Sequence, residues 1–438
     1  TKFRWNVSGT YMQAVPRLFS TDANGKDERE FLTDFFPSMS KMATDIFLKG
    51  YQWPFDPQRI ENLQSSLIDV LVFNETQKGR RVFMDFRKDP IGNPSMKPFD
   101  VEDLEPEAYD YLDKAGAFQA TPIKRLAHMN PLAIDIYKEN GIDLYKEPLE
   151  IAVCAQHNNG GFAVNKWWES NIPHTFVIGE MAGSHGVKRP GGSALNAGQV
   201  GSLRAAQRIA HVYYEHACGA EDLAQLARPT VARFVQDIAR IEAAPADALD
   251  AAPLEKAIQH RMSQYAGMVR SIEGISQALN TAQAEWRAIA VHGVKQDRKG
   301  YLKAIEVREL ALAQRAFLEA IRAQIERGSG SRGSHLVTDP AGVLPHPGLG
   351  GEWKFIPENL DLRSEILCIA YDAERDAFLT HTVKPHPMPT GEYWFENTWA
   401  EYRSAAIFAK DATERPRPCG IYSTRTSDDA QWQRAPKR

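Results

Sequence analysis

Residues 179–207 read GEMAGSHGVKRPGGSALNAGQVGSLRAAQ, and this stretch decides how the chain is interpreted. It follows the apolar run Thr175-Phe176-Val177-Ile178, which predicts a short buried strand. Next come the acidic residue Glu180, a glycine-rich loop, and a helix predicted to begin near Ala197. Glycines let backbone N–H groups approach a ligand closely, and the first turn of a helix attracts negative charge. The stretch therefore predicts a site for a flat or anionic ligand. A tight connection without any ligand is the alternative that spacing alone leaves open.

A flavin fits this arrangement, because the N1 and C2 carbonyl edge of its ring gains negative charge on reduction. A helix N-terminus between Asn196 and Val200 would stabilise that charge. A metal ion is the weaker candidate. His174, Glu180 and His185 lie close together in the sequence, but they lack the i, i+4 or H-E-x-x-H spacing of a metal site. We therefore predict no metal.

The stretch also resembles the second flavin-binding segment of the succinate dehydrogenase, fumarate reductase and L-aspartate oxidase flavoproteins. In that family, Gly-Glu is followed by His-Gly-x-x-Arg-x-Gly-Gly-x-x-Leu and then by a helix. The matching positions are Gly179-Glu180, His185-Gly186, Arg189, Gly191-Gly192 and Leu195. Two further segments are similar to the family: CAQHNNGGFAV at 154–164, with its histidine before Gly-Gly, and Ser-Arg-Gly-Ser-His at 331–335.

The resemblance implies an FAD enzyme that moves a hydride between flavin N5 and a carbon beside a carboxylate. It implies that Glu180 contacts the ribityl or ribose part of FAD, and that Gly160 and Gly161 lie by the flavin ring. The residues implied to hold the pyrimidine edge of the ring are Ser193, Ala194, Leu195 and Asn196.

Two residues are implied to bind the substrate. Arg189 matches the family's carboxylate-binding arginine, and a planar guanidinium suits that task because it makes two charge-assisted hydrogen bonds. A loop-stabilising arginine is the alternative. His157 resembles the histidine that binds the other carboxylate, although its distance to Gly160 is one residue shorter than in several members. A core histidine bonded to the backbone is the alternative there. For His185 we expect a role in the loop.

The chain departs from the family in its nucleotide-binding part. The sequence contains no G-x-G-x-x-G after a predicted strand, which is the fingerprint that holds the ADP portion of a dinucleotide. In the family that fingerprint precedes a mobile capping domain, and residues 1–150 resemble the capping domain. The resemblance thus implies that these 438 residues are the C-terminal portion of a longer flavoprotein.

The predicted cap also departs from the family. The family carries a proton-donating arginine before an aspartate on a cap helix, and Thr44 stands at that position before Asp45. A threonine hydroxyl cannot act as a cationic proton donor. Lys49, one helical turn beyond Asp45, is the candidate substitute, and a solvated surface lysine is the alternative. The identity of the carboxylate substrate is therefore open.

The predicted fold class is α/β plus α, with a partial FAD-binding domain, an α+β capping domain and a helical bundle. We predict the capping domain over 1–150, the second FAD segment over 151–218, the helical domain over 219–327, and a loop with a small α+β region over 328–438. The finer predictions are strands at 67–73 and 81–86 joined as a hairpin, strands at 151–153 and 175–178, helices at 222–243, 254–290 and 301–327, and a Gly/Pro-rich loop at 328–351.

Composition limits the remaining choices. The formal charge of −4 with both signs dispersed gives no nucleic-acid footprint, and no apolar run approaches the roughly 20 residues of a membrane span. Four isolated cysteines without a C-x-x-C pair indicate a reducing compartment, so we predict a cytoplasmic protein. The expected partners are a small carboxylate substrate and an electron-transfer subunit. Two alternatives stay open: a non-catalytic assembly subunit completed in trans by a nucleotide-binding chain, and a flavoprotein similar to adenylylsulfate reductase.

Overall fold

A computed structural model describes residues 9–52, 54–154, 160–186, 193–213, 219–296, 300–385, 389–410 and 433–434. The chain divides into two compact units. Unit 1 comprises Thr1–Ala155, Gly267–Arg270 and Gly330–Glu358, and unit 2 comprises Gln156–Ala266, Ser271–Ser329 and Asn359–Arg438. The predicted division into four domains with boundaries near 150, 218 and 327 stays a prediction.

The described helices are, in chain order, α1 (Gly9–Gln13), α2 (Met39–Tyr51), α3 (Leu67–Gln77), α4 (Pro106–Lys114), α5 (Pro122–Met129), α6 (Leu132–Glu139), α7 (Ser193–Arg208), α8 (Ala220–Glu242), α9 (Ala251–Tyr265), α10 (Ile272–His292), α11 (Tyr301–Glu326), α12 (Trp394–Arg403) and α13 (Ala406–Lys410). The described strands are β1 (Arg17–Thr21), β2 (Arg81–Asp85), β3 (Leu149–Ile151), β4 (Leu249–Asp250), β5 (Val269–Arg270), β6 (Val294–Lys295), β7 (Leu336–Val343), β8 (Ile366–Asp372), β9 (Ala377–Val383) and β10 (Gln433–Arg434).

Unit 1 is built on a three-stranded antiparallel sheet in the order β1-β2-β3. Phe19 of β1 lies opposite Phe83 of β2, and their rings stack 5.2 Å apart. Helices α1 to α6 contribute most of one continuous apolar core, in which the side chains of Met42, Phe47 and Ile68 are buried. The mixture of helices and strands predicted for residues 1–150 is confirmed.

The predicted strand at 67–73 is wrong, because these residues form helix α3. The run is buried on nearly all sides, so its apolar residues show no helical period, and a short apolar run does not distinguish a buried helix from a buried strand. The predicted hairpin with 81–86 fails for the same reason. Strand β2 pairs instead with β1, about sixty residues earlier in the chain, as its Met84 to Leu18 register shows.

Unit 1 also receives two segments from later in the chain. Strand β5 pairs with β7 in parallel, with Val269 opposite Leu336 and Arg270 opposite Val337. The prediction of a loop throughout 328–351 is therefore wrong in part. Counting glycines and prolines missed the short apolar run Leu336-Val337, whose pairing partner is far away in the sequence.

Unit 2 contains the predicted helices, with one correction. The helix predicted over 254–290, in which Gly274 is the weak point, is interrupted just before that glycine, between α9 and α10. Ser271 begins α10 by accepting a hydrogen bond from the N–H of Gly274 at 3.0 Å. Helices α9, α10 and α11 pack together through small and branched side chains such as Ala278, Ala304 and Leu318. Helices α8 and α11 confirm the helices predicted near 222–243 and 301–327.

Unit 2 also holds the segment from 160 onward and a C-terminal hairpin. Helix α7 continues into a π-helical turn at Ile209–Tyr213. Strands β8 and β9 form an antiparallel hairpin that β10 extends. Among the helices that the structure describes, none combines the length and the apolar composition needed to cross a membrane.

Candidate functional site

The two segments predicted to bind a flavin lie side by side in unit 2. Residues Gly179–Met181 form a single 3₁₀ turn instead of continuing a strand. The Phe162 N–H donates to the Met181 carbonyl at 2.9 Å, and the Gly183 N–H donates to the Phe162 carbonyl at 2.9 Å. The fold therefore places Gly160 and Gly161 next to the turn that carries Glu180.

Glycine is required at several points of this junction. A Cβ atom at Gly161 would lie 2.3 Å from the Met181 carbonyl oxygen, a distance that real side chains do not adopt. Gly179 has a φ of +69°, in the left-handed region that favours glycine, and a Cβ there would lie 3.3 Å from the Cα atom of Gly198. By contrast, a Cβ at Gly160 would meet open space. The close approach brings the turn at 179–181 against helix α7.

Helix α7 is described from Ser193, so the four residues before the predicted start at Ala197 are also helical. Ser193 to Asn196 lie at the N-terminal end of the described helix, toward which the positive end of the helix dipole points. Leu195 is 79% exposed, and Glu180 and Asn196 are exposed as well. The residues predicted to contact FAD are therefore brought together on an accessible surface of unit 2.

The buried strand predicted at 175–178 is wrong. Its residues are exposed or half-buried, and the segment makes one isolated bridge, between Phe176 and Glu169. Hydrogen bonds across a loop hold it, including one from the Val177 N–H to the Trp168 carbonyl at 3.0 Å. His174 has a φ of +63° and interrupts any extended pairing.

The loop beneath α7 uses residues that the sequence analysis missed. The Trp168 ring packs against α7 so closely that a Cβ at Gly201 would lie 2.8 Å from it. The Arg204 guanidinium lies over the neighbouring Trp167 ring, with its Cζ atom 5.2 Å from the ring centroid. Two features of the sequence could have indicated this packing: the tryptophan pair at 167–168 and Gly201 in the middle of a helical stretch. A glycine inside a helix indicates close packing.

A buried polar cluster lies on the same loop. The side chain of Glu169 accepts hydrogen bonds from the Tyr213 hydroxyl and from the His174 N–H, and the Arg208 guanidinium lies 4.0 Å away. The His174 ring packs on the Tyr213 ring at 4.4 Å. These contacts give His174 a structural role. Among the described residues no group of three or more His, Cys, Asp or Glu side chains could hold a metal ion.

The two residues predicted to bind substrate, His157 and Arg189, lie outside the described residues, as do Gly191 and Gly192. Their roles stay predictions. His185 is half-buried in the loop that follows the 3₁₀ turn, as the sequence analysis placed it.

Helix α2, which lies in the predicted capping domain, does not carry Lys49 on its surface. The Lys49 side chain is 1% exposed, and its Nζ lies 2.6 Å from Oδ2 of the equally buried Asp69 on α3. The interpretation as a solvated lysine is wrong, because α2 is buried on the face that carries Lys49. Burial raises the pKa of Asp69 to about 6, against the lowering effect of Lys49.

Thr44 and Asp45 are also buried in unit 1. The Thr44 hydroxyl accepts a hydrogen bond from the Glu105 N–H at 3.0 Å, so it supports the start of α4. Asp45 pairs with Lys41, one turn earlier on α2, at 3.0 Å. Burial raises the pKa of Asp45 to about 7, more than the Lys41 ammonium lowers it. The catalytic role predicted for Lys49 stays a prediction.

Comparison with known proteins confirms the family resemblance. The chain is 41% identical over 66 residues to a fumarate reductase (CoM/CoB) polypeptide from Methanothermobacter marburgensis. It is 29% identical over 229 residues to a chloroplastic L-aspartate oxidase from Arabidopsis thaliana, and 30% identical over 140 residues to an uncharacterized FAD-dependent oxidoreductase from Methanocaldococcus jannaschii.

These alignments are partial. They cover 15%, 49% and 32% of this chain, and 12%, 33% and 24% of the respective relatives. The chain thus spans no more than a third of these relatives' length. No family model matches the sequence.

Solved structures show the same fold. A quinol-fumarate reductase with menaquinol molecules aligns with 87% of this chain and 57% of its own, with a TM-score of 0.54 and 15% sequence identity. An E. coli quinol fumarate reductase gives a TM-score of 0.52 at 16% identity, over the same shares of the two chains. At these identities the likeness concerns the fold alone.

Proposed function

We propose that this chain is part of an FAD-dependent oxidoreductase that transfers a hydride between the flavin and a carbon beside a carboxylate of a small molecule. The observation that carries the proposal is the junction of Gly161, the turn at Gly179–Met181 and helix α7, which the turn approaches at Gly198. Its glycines keep backbone atoms close together where side chains would fill the space. The names of the relatives, which include an FAD-dependent oxidoreductase, an L-aspartate oxidase and a fumarate reductase, support the same conclusion.

In this proposal FAD supplies the hydride chemistry, and the chain supplies binding and orientation. The N-terminal end of the described part of α7, at Ser193 to Asn196, would stabilise negative charge at the pyrimidine edge of the ring through its backbone dipoles. Glu180 would accept hydrogen bonds from ribityl or ribose hydroxyls, and Gly160, where a Cβ atom would meet open space, would admit the flat ring beside the backbone that Gly161 fixes against Met181. Arg189 and His157 bind the substrate carboxylates, and the guanidinium of Arg189 orients one of them through two hydrogen bonds.

A further polypeptide segment is needed for the ADP portion of FAD. No predicted strand in the sequence is followed by G-x-G-x-x-G. Helix α7 also carries a row of exposed apolar side chains, with Leu195 at 79%, Val200 at 51% and Leu203 at 59% exposure, which water solvates poorly. We propose that a nucleotide-binding polypeptide covers this face, so that the 438-residue chain by itself retains FAD weakly or not at all.

The test compares the chain alone with the chain mixed with a polypeptide that carries the dinucleotide fingerprint. The measurement is the flavin absorbance retained after desalting, followed by bleaching of that absorbance on addition of succinate or L-aspartate under anaerobic conditions. We expect retention and bleaching only in the mixture. One FAD per chain retained by the chain alone would refute the requirement for a second polypeptide, and absence of FAD from the mixture would refute the flavin assignment.

Two glycine variants sharpen this test. Gly160→Ala adds a methyl group into open space in the folded chain, whereas Gly161→Ala places one 2.3 Å from the Met181 carbonyl oxygen. If a flavin lies over Gly160, Gly160→Ala should weaken FAD retention while leaving the unfolding midpoint of the chain unchanged. Gly161→Ala should lower both FAD retention and the unfolding midpoint. Equal FAD retention in Gly160→Ala and the unsubstituted chain would place the ring elsewhere.

The second candidate is the non-catalytic assembly subunit. The observation in its favour is the exposure of apolar side chains along two helices of unit 2. On α8, Leu226 is 72% and Phe234 is 53% exposed, and on α12, Phe395 is 60% and Trp399 is 51% exposed. Arg189→Ala distinguishes the candidates in the mixture described above. Loss of substrate-dependent bleaching with FAD still bound supports the enzyme, and unchanged bleaching supports the assembly role.

A further inference from the structure

Unit 1 contains a tightly anchored turn that presents two basic side chains, Arg332 and His335. The Ser331 N–H donates to the Ile356 carbonyl at 2.8 Å, and the Ser331 hydroxyl accepts from the Val337 N–H at 2.8 Å. Gly330 has a φ of +64°, and a Cβ there would lie 2.0 Å from the Pro357 carbonyl oxygen. The turn is therefore fixed on both sides, and its side chains are held in place by the backbone.

Strand β5 adds a third basic side chain, Arg270. The parallel pairing sets Arg270 opposite Val337, two residues beyond His335, and the Thr338 hydroxyl bonds the Arg270 carbonyl at 3.2 Å. The Arg270 guanidinium donates through Nε to the Gly267 carbonyl at 3.0 Å. Within the described part of the chain, no carboxylate oxygen lies within 4 Å of that guanidinium. Its other N–H groups therefore have no anionic partner there.

Other enclosed arginines of the same unit are neutralised. Arg17 pairs with Glu30, and Arg125 pairs with Asp89. Arg270 is half-buried, and burial lowers its pKa to about 10. A partly buried cation is costly without a counter-charge.

The charges around Arg270 leave one positive charge uncompensated. The Nε atom of Arg332 lies 3.5 Å from Oε1 of Glu358, so these two charges offset each other. Burial and the positive charges of Arg270 and Arg332 lower the pKa of His335 well below its usual value, so its ring is neutral near pH 7. One unit of positive charge, on Arg270, remains. A single carboxylate group has the matching charge, and its two oxygens match the guanidinium fork.

We propose that Arg270, together with Arg332 and His335, forms a site in unit 1 for the carboxylate group of a small molecule. The site goes beyond the proposed function, because it uses none of the residues assigned there to FAD or substrate and it requires no flavin. Arg270 supplies the two charge-assisted hydrogen bonds, and the turn that carries Arg332 and His335 lies beside it through the pairing of β5 with β7. Binding stabilises the folded unit because it supplies the missing negative charge.

The test uses acetate as the probe and the full chain without flavin. Urea unfolding midpoints are measured at increasing acetate concentration, with chloride at the same ionic strength as reference, and the dependence gives an apparent Kd. We expect acetate to raise the unfolding midpoint of the unsubstituted chain. Arg270→Gln should raise the apparent Kd for acetate roughly tenfold or more. The control Lys88→Gln, which removes an exposed positive charge from the same unit, should change that Kd by no more than about twofold. Equal midpoints in acetate and chloride would overturn the proposal, and a response to sulfate but not to acetate would overturn the carboxylate assignment.

A merely structural arginine behaves differently in this experiment. In that case Arg270→Gln would lower the midpoint by the same amount at every acetate concentration, and the response to acetate would persist. Arg270→Lys serves if Arg270→Gln fails to fold, because it keeps the charge and removes the planar fork. We expect this variant to bind acetate more weakly than the unsubstituted chain while unfolding at a similar midpoint in chloride. An undiminished acetate response in Arg270→Lys would count against the site.

Discussion

Replacing Asp45 by asparagine should stabilise unit 1 at pH 8 but much less at pH 5. Asp45 is fully buried, and its carboxylate pairs with the Lys41 ammonium, whose Nζ lies 3.0 Å from Oδ2. Burial raises the pKa of Asp45 to about 7, the Lys41 ammonium lowers it, and the Glu105 carboxylate raises it further. Asparagine has nearly the same shape as the neutral acid and carries no charge at any pH.

The sign follows from proton binding. The pKa of Asp45 in the folded chain, about 7, lies above the value of roughly 3.9 expected in the unfolded chain. Between these values the folded state holds a proton that the unfolded state has lost, so the free energy of unfolding falls as the pH rises. Between pH 5 and pH 8, the titration of Asp45 lowers the free energy of unfolding of the unsubstituted chain by roughly 2 to 3 kcal/mol. Asp45→Asn does not show this loss.

Hydrogen exchange measured by mass spectrometry on peptides that cover α2 reports the effect locally, with urea unfolding as the global measurement. The quantity of interest is the difference in unfolding free energy between Asp45→Asn and the unsubstituted chain at pH 5, 6, 7 and 8. Subtraction cancels the other titrating groups. Asp34→Asn, at an exposed position of the same unit, is the matched control and should show no trend. A difference for Asp45→Asn that stays constant from pH 5 to pH 8 would show that the carboxylate is ionised throughout and that Lys41 outweighs burial.

Three further predictions concern single contacts, each measured by urea unfolding. Lys49→Met should lower the free energy of unfolding by about 3 to 5 kcal/mol, because it leaves the buried Asp69 without its cation. Adding Asp69→Asn should restore most of that free energy. If it restores none, packing and not charge dominates the loss. Gly201→Ala should destabilise unit 2, since its Cβ would lie 2.8 Å from the Trp168 ring, and Trp168→Leu in the same chain should relieve the clash. Ser271→Ala should cost about 1 kcal/mol through loss of the cap of α10, whereas Ser271→Asp should be neutral.

Local secondary structure could be predicted where residues that are close in the sequence determine it. The glycine-rich stretch after Glu180 led to a turn followed by a helix, because left-handed backbone and close approach require glycine whatever surrounds them. The helices of 219–327 likewise followed from apolar spacing. The outcome for residues 67–73 shows the limit: a segment buried on all sides shows no period, so its sequence is equally compatible with a strand and a helix.

Long-range pairing was the part that could not be predicted. Strand β7 depends on β5, more than sixty residues earlier, and the basic site around Arg270 exists only because that pairing sets Arg270 beside His335. The buried state of Lys49 depends on Asp69 of another helix in the same way. A lysine alone in a helical pattern indicates a solvated face, and only the tertiary partner reverses that expectation.

The pairing of Lys49 with Asp69 also bears on the missing arginine of the cap. A proton donor in the cap must reach a substrate, but Lys49 is 1% exposed and held at 2.6 Å from a carboxylate. Freeing Lys49 would leave Asp69 charged and buried without a partner, at a cost of several kcal/mol, unless Asp69 takes up a proton first. A catalytic Lys49 therefore requires that its pair open, and turnover in the mixture with the nucleotide-binding polypeptide should then fall as the pH rises past the pKa of Asp69, about 6. If turnover instead survives Lys49→Met combined with Asp69→Asn, which removes the charges in a matched pair, the proton comes from another residue and α2 serves the cap as structure alone.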